Sequence, residues 1–335
     1  MTATSAAKAA MPRHVHLDNA STTWPKPAAV ARAMQDWFER LGVDASRGGS
    51  PRRDEVRKKV RRLRSRLAEL CGTPASLVIL GSGATEMLNL AIQGLLADGD
   101  RVWCSSLEHN AVIRQLVRLR DEGRIQLRRI GTGRVEDRLL LEELSKEDAP
   151  KLLVLNHASN VTGELQEPIS AIKALRQAGT RVILDCAQSA GRIELSRIPA
   201  DAYVLPGHKA LMGPPGVGAL CLRQELGLRA WKLGGTGSGR EEMPRGTPGG
   251  YEAGTPNSPG YLGWLAGIEW TLEQGQDALL AHERRLIAKL QGELAPLIEA
   301  GRVRICGGES SGLGIVNLFC DEFGSQELAL LLDLK

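Results

Sequence analysis

The stretch GHKALMGPPGVGAL, residues 207–220, sets a single basic side chain, Lys209, in a run of glycine and proline. The apolar stretch ADAYVLP, residues 200–206, leads directly into it and has the composition of a buried strand. Glycine allows close approach of the backbone to a ligand. The stretch therefore predicts a loop at the end of a buried strand, where an amine is presented to a bound molecule.

The rest of the chain supplies the sheet to which that strand belongs. Short apolar runs alternate with amphipathic helical patterns along most of the 335 residues. This alternation predicts an α/β fold with a mostly parallel seven-stranded sheet and helices on both faces. Residues 207–216 are too few for a helical crossover, so we expect the last two strands to be antiparallel. The predicted strands are 76–80, 101–105, 125–130, 151–156, 181–185, 202–206 and 217–222.

The composition is that of a soluble globular protein, with 42% hydrophobic and 24% charged residues. The net charge of +4 and the absence of a long apolar run suggest neither a nucleic-acid nor a membrane partner. The first 14 residues lack the apolar core of a secretory signal and are expected to form a flexible tail. The six cysteines contain no CxxC pair, which argues against a zinc site or disulfide framework and predicts a reducing, cytoplasmic compartment.

Residues 52–70 predict a strongly basic amphipathic helix. One stripe is apolar at helical spacing, and the other faces carry eight arginines and lysines. A solvated or subunit-facing surface is the favoured interpretation. Nucleic-acid binding is the alternative, but no aromatic or base-reading pattern accompanies the charges.

Polar residues follow the predicted strands in a specific order. Ligands of open parallel sheets lie beyond the carboxyl ends of the strands. GSGATE, residues 81–86, follows the first strand and opens a helix, which suits a phosphate. After later strands come His109, Asn160, Asp185 with Gln188, and Lys209.

Two ligands fit parts of this order. GSGATE begins like a dinucleotide-binding GxGxxG, and Glu108 lies where a ribose-binding acid is expected, but Glu86 occupies the third glycine position. Pyridoxal 5′-phosphate uses the whole set, because it has a phosphate, a flat ring, a ring nitrogen that must stay protonated opposite Asp185, and an aldehyde for Lys209. Pyridoxal 5′-phosphate is therefore the predicted cofactor.

Seven motifs in order carry a resemblance to a known family. The chain resembles the class V aminotransferases among the fold-type I pyridoxal-phosphate enzymes, and within them the cysteine desulfurases. The resemblance implies a large cofactor-binding domain over residues 15–275 and a smaller α+β domain over 276–335 that looks truncated. The motifs, between residue 16 and about residue 270, are HLDNASTTWPKP, GSGATEMLNLAI, EHNAV, NHASNVTGELQEPI, ILDCAQSAG, GHKALMGPPGVGAL and YEAGTPNSPGYLGWLAGIEW.

The resemblance also implies roles for individual residues. Lys209 forms a Schiff base with the cofactor and moves protons at the substrate α-carbon, Asp185 pairs with the pyridinium nitrogen, and His109 stacks on the ring. Thr255 resembles a threonine that reaches the phosphate bound by a neighbouring subunit, which implies a homodimer with shared sites. The other implied cofactor-binding residues are Gly83, Ala84, Thr85, Asn160, Gln188 and His208, and those near the substrate carboxylate are Asn19, Ala20 and Asn160.

The implied reaction converts L-cysteine to L-alanine and passes sulfur to a protein cysteine. In the family, that cysteine and a carboxylate-binding arginine follow a stretch resembling SQELALLLD, close to where this chain ends, and no RxGxxC-like stretch is present. Cys306 and Cys320 are expected to be buried and structural. Three interpretations therefore stay open: a truncated cysteine desulfurase, a pyridoxal-phosphate lyase or aminotransferase acting on another amine, and a cofactor-binding protein without turnover.

Overall fold

The computed structural model describes residues 15–45, 49–237, 241–307 and 312–334. The expected tail, residues 1–14, lies outside these ranges. Seven strands form the main sheet, in the order β1-β7-β6-β5-β4-β2-β3. Their bounds are β1 Val78–Gly81, β2 Asp100–Ser105, β3 Ile125–Ile130, β4 Leu152–Asn156, β5 Arg181–Asp185, β6 Ala202–Pro206 and β7 Gly218–Leu222.

The sheet is parallel except at β7. Strands β2 to β6 pair in parallel, whereas β7 runs antiparallel to both β6 and β1. The predicted antiparallel turn between β6 and β7 is confirmed. The register places Gly81 of β1 opposite Gly218 of β7, so the glycine turn and the lysine loop belong to neighbouring strands.

Nine α-helices are assigned within the described ranges. Those near the main sheet cover both its faces, because two separate clusters of buried side chains pack on opposite sides of the strands. None of the helices in the described part of the chain is long and apolar enough to cross a membrane. The bounds are α1 Ala28–Asp36, α2 Pro51–Cys71, α3 Ala84–Leu95, α4 Asn110–Asp121, α5 Asp137–Lys146, α6 Ile169–Gln177, α7 Ser258–Gln274, α8 Gln276–Glu299 and α9 Ser325–Asp333.

Helix α2 is the basic helix of the sequence. Ser50 caps its N-terminus by accepting a hydrogen bond from the Arg53 N–H, and Gly72 ends it with a φ of 63°. Much of its positive charge is paired with acids, some on the same helix and some on other elements. The basic residues of α2 in such pairs are Arg57, Lys59, Arg62, Arg64 and Arg66.

The C-terminal part of the chain is thinly packed. Strands β8 Val303–Cys306 and β9 Asn317–Cys320 form a separate antiparallel pair with no buried residue in either strand. The expectation that Cys306 and Cys320 are buried is therefore wrong: Cys306 is exposed and Cys320 is half-exposed. The reason is that the described residues that pack on this two-stranded sheet bury none of its side chains fully. The division into domains at residue 275 stays a prediction.

Candidate active site

A cavity of about 580 Å³ lies at the carboxyl ends of the parallel strands. Strand ends, the first turn of α3 and the loop after β6 all contribute to its wall, as the topology of an open parallel sheet requires. Most of the residues predicted for the site line this one cavity. They are Ala20, Gly83, Ala84, Thr85, His109, Asn160, Asp185, Gln188, His208 and Lys209.

Asp185 ends β5 on the floor of the cavity and is only 2% exposed. Its Oδ1 accepts a hydrogen bond from the Ala187 N–H at 2.9 Å. Burial raises the pKa of this carboxyl, while the hydrogen bond from Ala187 and the charges of Lys209 and His109 act in the opposite direction. A buried acid of this kind is suited to hold a cationic ring nitrogen.

Lys209 is half-buried in the same cavity. Burial lowers the pKa of its amine, although the nearby charge of Asp185 partly offsets the effect. An amine with a lowered pKa is more often neutral near pH 7, and a neutral amine is the form that attacks a carbonyl carbon or accepts a proton. The position and electrostatics of Lys209 therefore match those of a nucleophilic or basic lysine.

The main chain around Lys209 is held by a segment from the N-terminal region. Thr23 donates from its hydroxyl to the Lys209 carbonyl at 2.9 Å and to the His208 carbonyl at 3.2 Å. Thr22 also donates to the His208 carbonyl, and Lys26 Nζ donates to it at 2.5 Å. Because carbonyl positions fix the backbone, these donors together determine where the Lys209 side chain begins.

The glycine turn between β1 and α3 forms another wall. Gly83 is the N-cap of α3 and has no side chain to occupy the helix N-terminus. A Cβ built on Gly83 would meet no atom within 4 Å, so the space in front of the first helical N–H groups is open. These N–H groups have no partner within the helix and carry the positive end of its dipole. The turn is thus a suitable anion site.

His109, the N-cap of α4, also lines the cavity. Its Nδ1 accepts a hydrogen bond from the Ala111 N–H at 3.1 Å, which fixes the orientation of the imidazole. Gln188 donates from Nε2 to the Ala20 carbonyl at 2.9 Å, and its Oε1 is buried without a hydrogen-bond partner in the described chain. An unpartnered buried acceptor beside a cavity indicates that a ligand group belongs there.

Two predicted site residues are not in this cavity. Asn19 uses its side chain within its own loop, donating to the His16 carbonyl and accepting from the Trp24 N–H. Thr255 lines a second cavity of about 550 Å³, which shares Ser82, Glu86 and Gly216 with the first.

The residues present fit pyridoxal 5′-phosphate. The open helix N-terminus suits its phosphate, the buried acid suits its ring nitrogen, the unpartnered Gln188 oxygen suits its ring hydroxyl, and the half-buried amine suits its aldehyde. The nicotinamide alternative has no support, because Glu108 does not line the cavity. Its Oε1 instead accepts from the Asn156 N–H.

The fold and the cavity together have the features of fold-type I pyridoxal-phosphate enzymes. The model of the aminotransferase class-V family matches residues 15–335. The chain therefore belongs to this family and is a pyridoxal-phosphate-dependent transferase, as its motifs predicted.

Within the family, the chain is cysteine desulfurase-like. It is 32% identical to a probable cysteine desulfurase of Xylella fastidiosa strain Temecula1, over 96% of this chain and 81% of the relative. It is 30% identical to a probable cysteine desulfurase of Aeropyrum pernix, over 96% of this chain and 82% of the relative. The apo structure of a cysteine desulfurase from Thermococcus onnurineus NA1 superposes with a TM-score of 0.83 at 26% identity, covering 94% of this chain and 81% of that one. The Escherichia coli cysteine desulfurase CsdA superposes with a TM-score of 0.81 at 25% identity, covering 94% and 80%.

Sequence reasoning missed the residues that support the site from behind. Thr22, Thr23 and Lys26 belong to the quoted motif HLDNASTTWPKP, but nothing in the motif indicates that their partners are the carbonyls of residues 208 and 209. Glu108 was considered only as a ribose ligand. Its place in EHNAV, directly before the histidine that follows β2, is the signal that could have indicated a supporting role.

Proposed function

We propose that the protein is a cysteine desulfurase, which converts L-cysteine to L-alanine and transfers the sulfur to a protein cysteine. The observation that supports this most is the convergence of Lys209, Asp185 and the open glycine turn on one cavity. The similarity to relatives named as cysteine desulfurases favours cysteine over other amino acids.

Five residues of the cavity have a part in the proposed reaction. The cofactor supplies an aldehyde that condenses with amines and a ring that accepts electrons from the substrate α-carbon. Lys209 would hold the aldehyde and would move the proton at that α-carbon. Asp185 would keep the ring nitrogen protonated, and His109 would contact the ring. Ala84 and Thr85 would donate N–H groups to the phosphate.

The transfer of sulfur needs a thiolate. A cysteine thiolate attacks the sulfur atom of the substrate, and a new S–S bond forms as the C–S bond breaks. The electron pair of the broken bond stays on the substrate carbon that carried the sulfur. Protonation of that carbon gives alanine, which leaves. No cysteine lines the cavity within the described residues. The partner we propose is a sulfur-acceptor protein, which would receive the sulfur from the persulfide.

One alternative function needs no thiol at the cavity, where the described residues place none. Lys209 and Asp185 also suit a lyase or an aminotransferase that acts on another amino acid. The products distinguish these reactions. Alanine with persulfide indicates desulfuration, pyruvate indicates elimination, and a keto acid formed with an aminated cofactor indicates transamination.

We further propose a homodimer with shared sites and a cytoplasmic location. Thr255 lies outside the main cavity in a neighbouring one, which is the arrangement expected if it serves the phosphate of a second subunit. The cysteines are free thiols, four of them buried, which suits a reducing compartment.

The test of the proposal is the replacement of the amine. Purified Lys209→Ala protein should lose the visible absorbance of covalently held cofactor and should form no alanine from cysteine. Lys173→Ala is the matched control, since Lys173 is exposed on α6 away from the cavity. Mass spectrometry after borohydride reduction should find the cofactor on the peptide with Lys209 in the wild type and in the control. Attachment to another lysine would overturn the assignment.

A further inference from the structure

Glu108 lies between the end of β2 and the start of α4, directly before His109. Its Oε1 accepts hydrogen bonds from the Ser105 hydroxyl at 2.6 Å and from the Asn156 N–H at 2.8 Å. Ser105 ends β2 and Asn156 ends β4. One carboxyl oxygen therefore joins the carboxyl ends of two neighbouring strands, behind the wall of the cavity.

The other oxygen of this carboxyl is buried without a partner. Glu108 Oε2 has no hydrogen bond in the described chain, and neither has Oδ1 of the adjoining Asn156. An ionised carboxylate can only accept hydrogen bonds, so its charge would leave two buried acceptors unsatisfied. A proton on Oε2 turns that oxygen into a donor and removes the charge as well.

The surrounding charges favour the same state. Burial, together with the charge of Asp185, raises the pKa of Glu108 to about 8. On β2, burial raises the pKa of the Cys104 thiol to about 12, so this neighbour is neutral at pH 7. No ion pair of Glu108 is found among the described residues. Burial raises the pKa of Asp185 as well, but the hydrogen bond from the Ala187 N–H and the charges of Lys209 and His109 oppose that effect.

We propose that Glu108 is a positioning residue that keeps its proton, so that the negative charge at this edge of the sheet is carried by Asp185 alone. Two carboxyls that share a low-dielectric region separate into one acid and one base when their surroundings differ. Glu108 is the acid, and its hydrogen bonds hold the strand ends from which His109 and Asn156 face the cavity. The consequence for the cofactor ring depends on the function proposed above for Asp185.

Infrared spectroscopy of the full chain tests the protonation state directly. The wild type at pH 7 should show the C=O band of a neutral, buried carboxyl group, and Glu108→Gln should lose it. Glu143→Gln is the matched control and should retain the band, because Glu143 is also buried but is ionised by pairing with Arg128 and Lys146. Because Asp185 raises the pKa of Glu108, removing its charge should shift the titration midpoint of the band to lower pH.

The outcomes separate this inference from the proposed function. A wild-type spectrum without the band at pH 7, or a band that Glu108→Gln leaves intact, overturns it. If Glu108→Gln does not fold, an unshifted midpoint in Asp185→Asn overturns it instead. The measurement is made on the protein as purified and again after the cofactor is removed. If the carboxyl band is present but no cofactor is found on Lys209, only the proposed function is refuted. If the cofactor is found on Lys209 but the band is missing, only the role of Glu108 is refuted.

Discussion

The contact between β7 and the glycine turn allows a quantitative prediction. A Cβ at Gly218 would lie 2.5 Å from both the Cα and the carbonyl carbon of Gly83, and 3.0 Å from the Ala84 nitrogen. Carbon atoms in contact are normally about 3.5–4.0 Å apart. The atoms that obstruct the new methyl group are backbone, so Gly218→Ala must displace the turn by roughly 1 Å to restore this spacing.

The displacement has two separable costs. Overpacking of this kind lowers the free energy of unfolding by about 1–3 kcal/mol. The turn also carries the N–H groups proposed for the phosphate, and a shift of about 1 Å takes a bond of about 2.9 Å beyond hydrogen-bond range. Hydrogen bonds to a charged group contribute about 1.5–3 kcal/mol each. Losing one of them weakens cofactor binding at least about tenfold.

The two costs are measured by urea unfolding of the cofactor-free protein and by equilibrium titration with pyridoxal 5′-phosphate. Gly133→Ala is the control, because its Cβ would meet no atom within 4 Å, and it should leave both quantities near their wild-type values. Wild-type stability in Gly218→Ala would refute the packing argument. Lowered stability with unchanged cofactor affinity would show that the phosphate does not bind at this turn.

Three further predictions concern the support of the site. Thr23→Val leaves two carbonyl groups without this donor and should lower the free energy of unfolding by about 1–3 kcal/mol, whereas Thr22→Val, which removes one longer bond, should cost less in the same urea assay. The folded-state pKa of Glu108, about 8, exceeds the unfolded value of 4.5, so the folded state binds the extra proton and wild-type stability should fall as pH rises between these values. Urea unfolding of Glu108→Gln between pH 5 and pH 8 should lack this component of a few kcal/mol, and an equal slope in both proteins would contradict the assignment. In mixed dimers that contain one Lys209→Ala chain, only the other subunit can hold the cofactor covalently. Thr255→Ala should weaken cofactor retention when it is placed in the Lys209→Ala chain, opposite the intact Lys209, and not when it is placed in the same chain as the intact Lys209. Equal loss from either placement would exclude shared sites.

The sheet was largely predictable because its strands are local apolar runs with clear ends. Strands β3, β5 and β6 occupy the predicted ranges. Strand β1 begins later than predicted, since Ala75–Leu77 form a short 3-10 helix. The pairing of β1 with β7 was not foreseen, because residues about 140 positions apart leave no periodic signal of their contact.

The cavity wall was predictable for a related reason. Strand ends of a parallel sheet meet at one edge, so residues that follow strands, such as His109, Asp185 and Lys209, are brought together by topology alone. Supporting contacts depend on backbone atoms, as with Lys26 and the carbonyl of His208, and the sequence does not record which carbonyl lies within reach. The buried state expected for the cysteines of β8 and β9 was wrong because it depended on the apolar residues that flank each cysteine, without knowledge of what covers the sheet.

The position of β7 between β1 and β6 governs the order in which the protein can become functional during synthesis. Strand β1 leaves the ribosome early, but its neighbour in the sheet is not translated until residues 218–222. Until then the glycine turn between β1 and α3 has an open flank. A nascent chain therefore acquires its cofactor site late, after most of the large sheet has already been made.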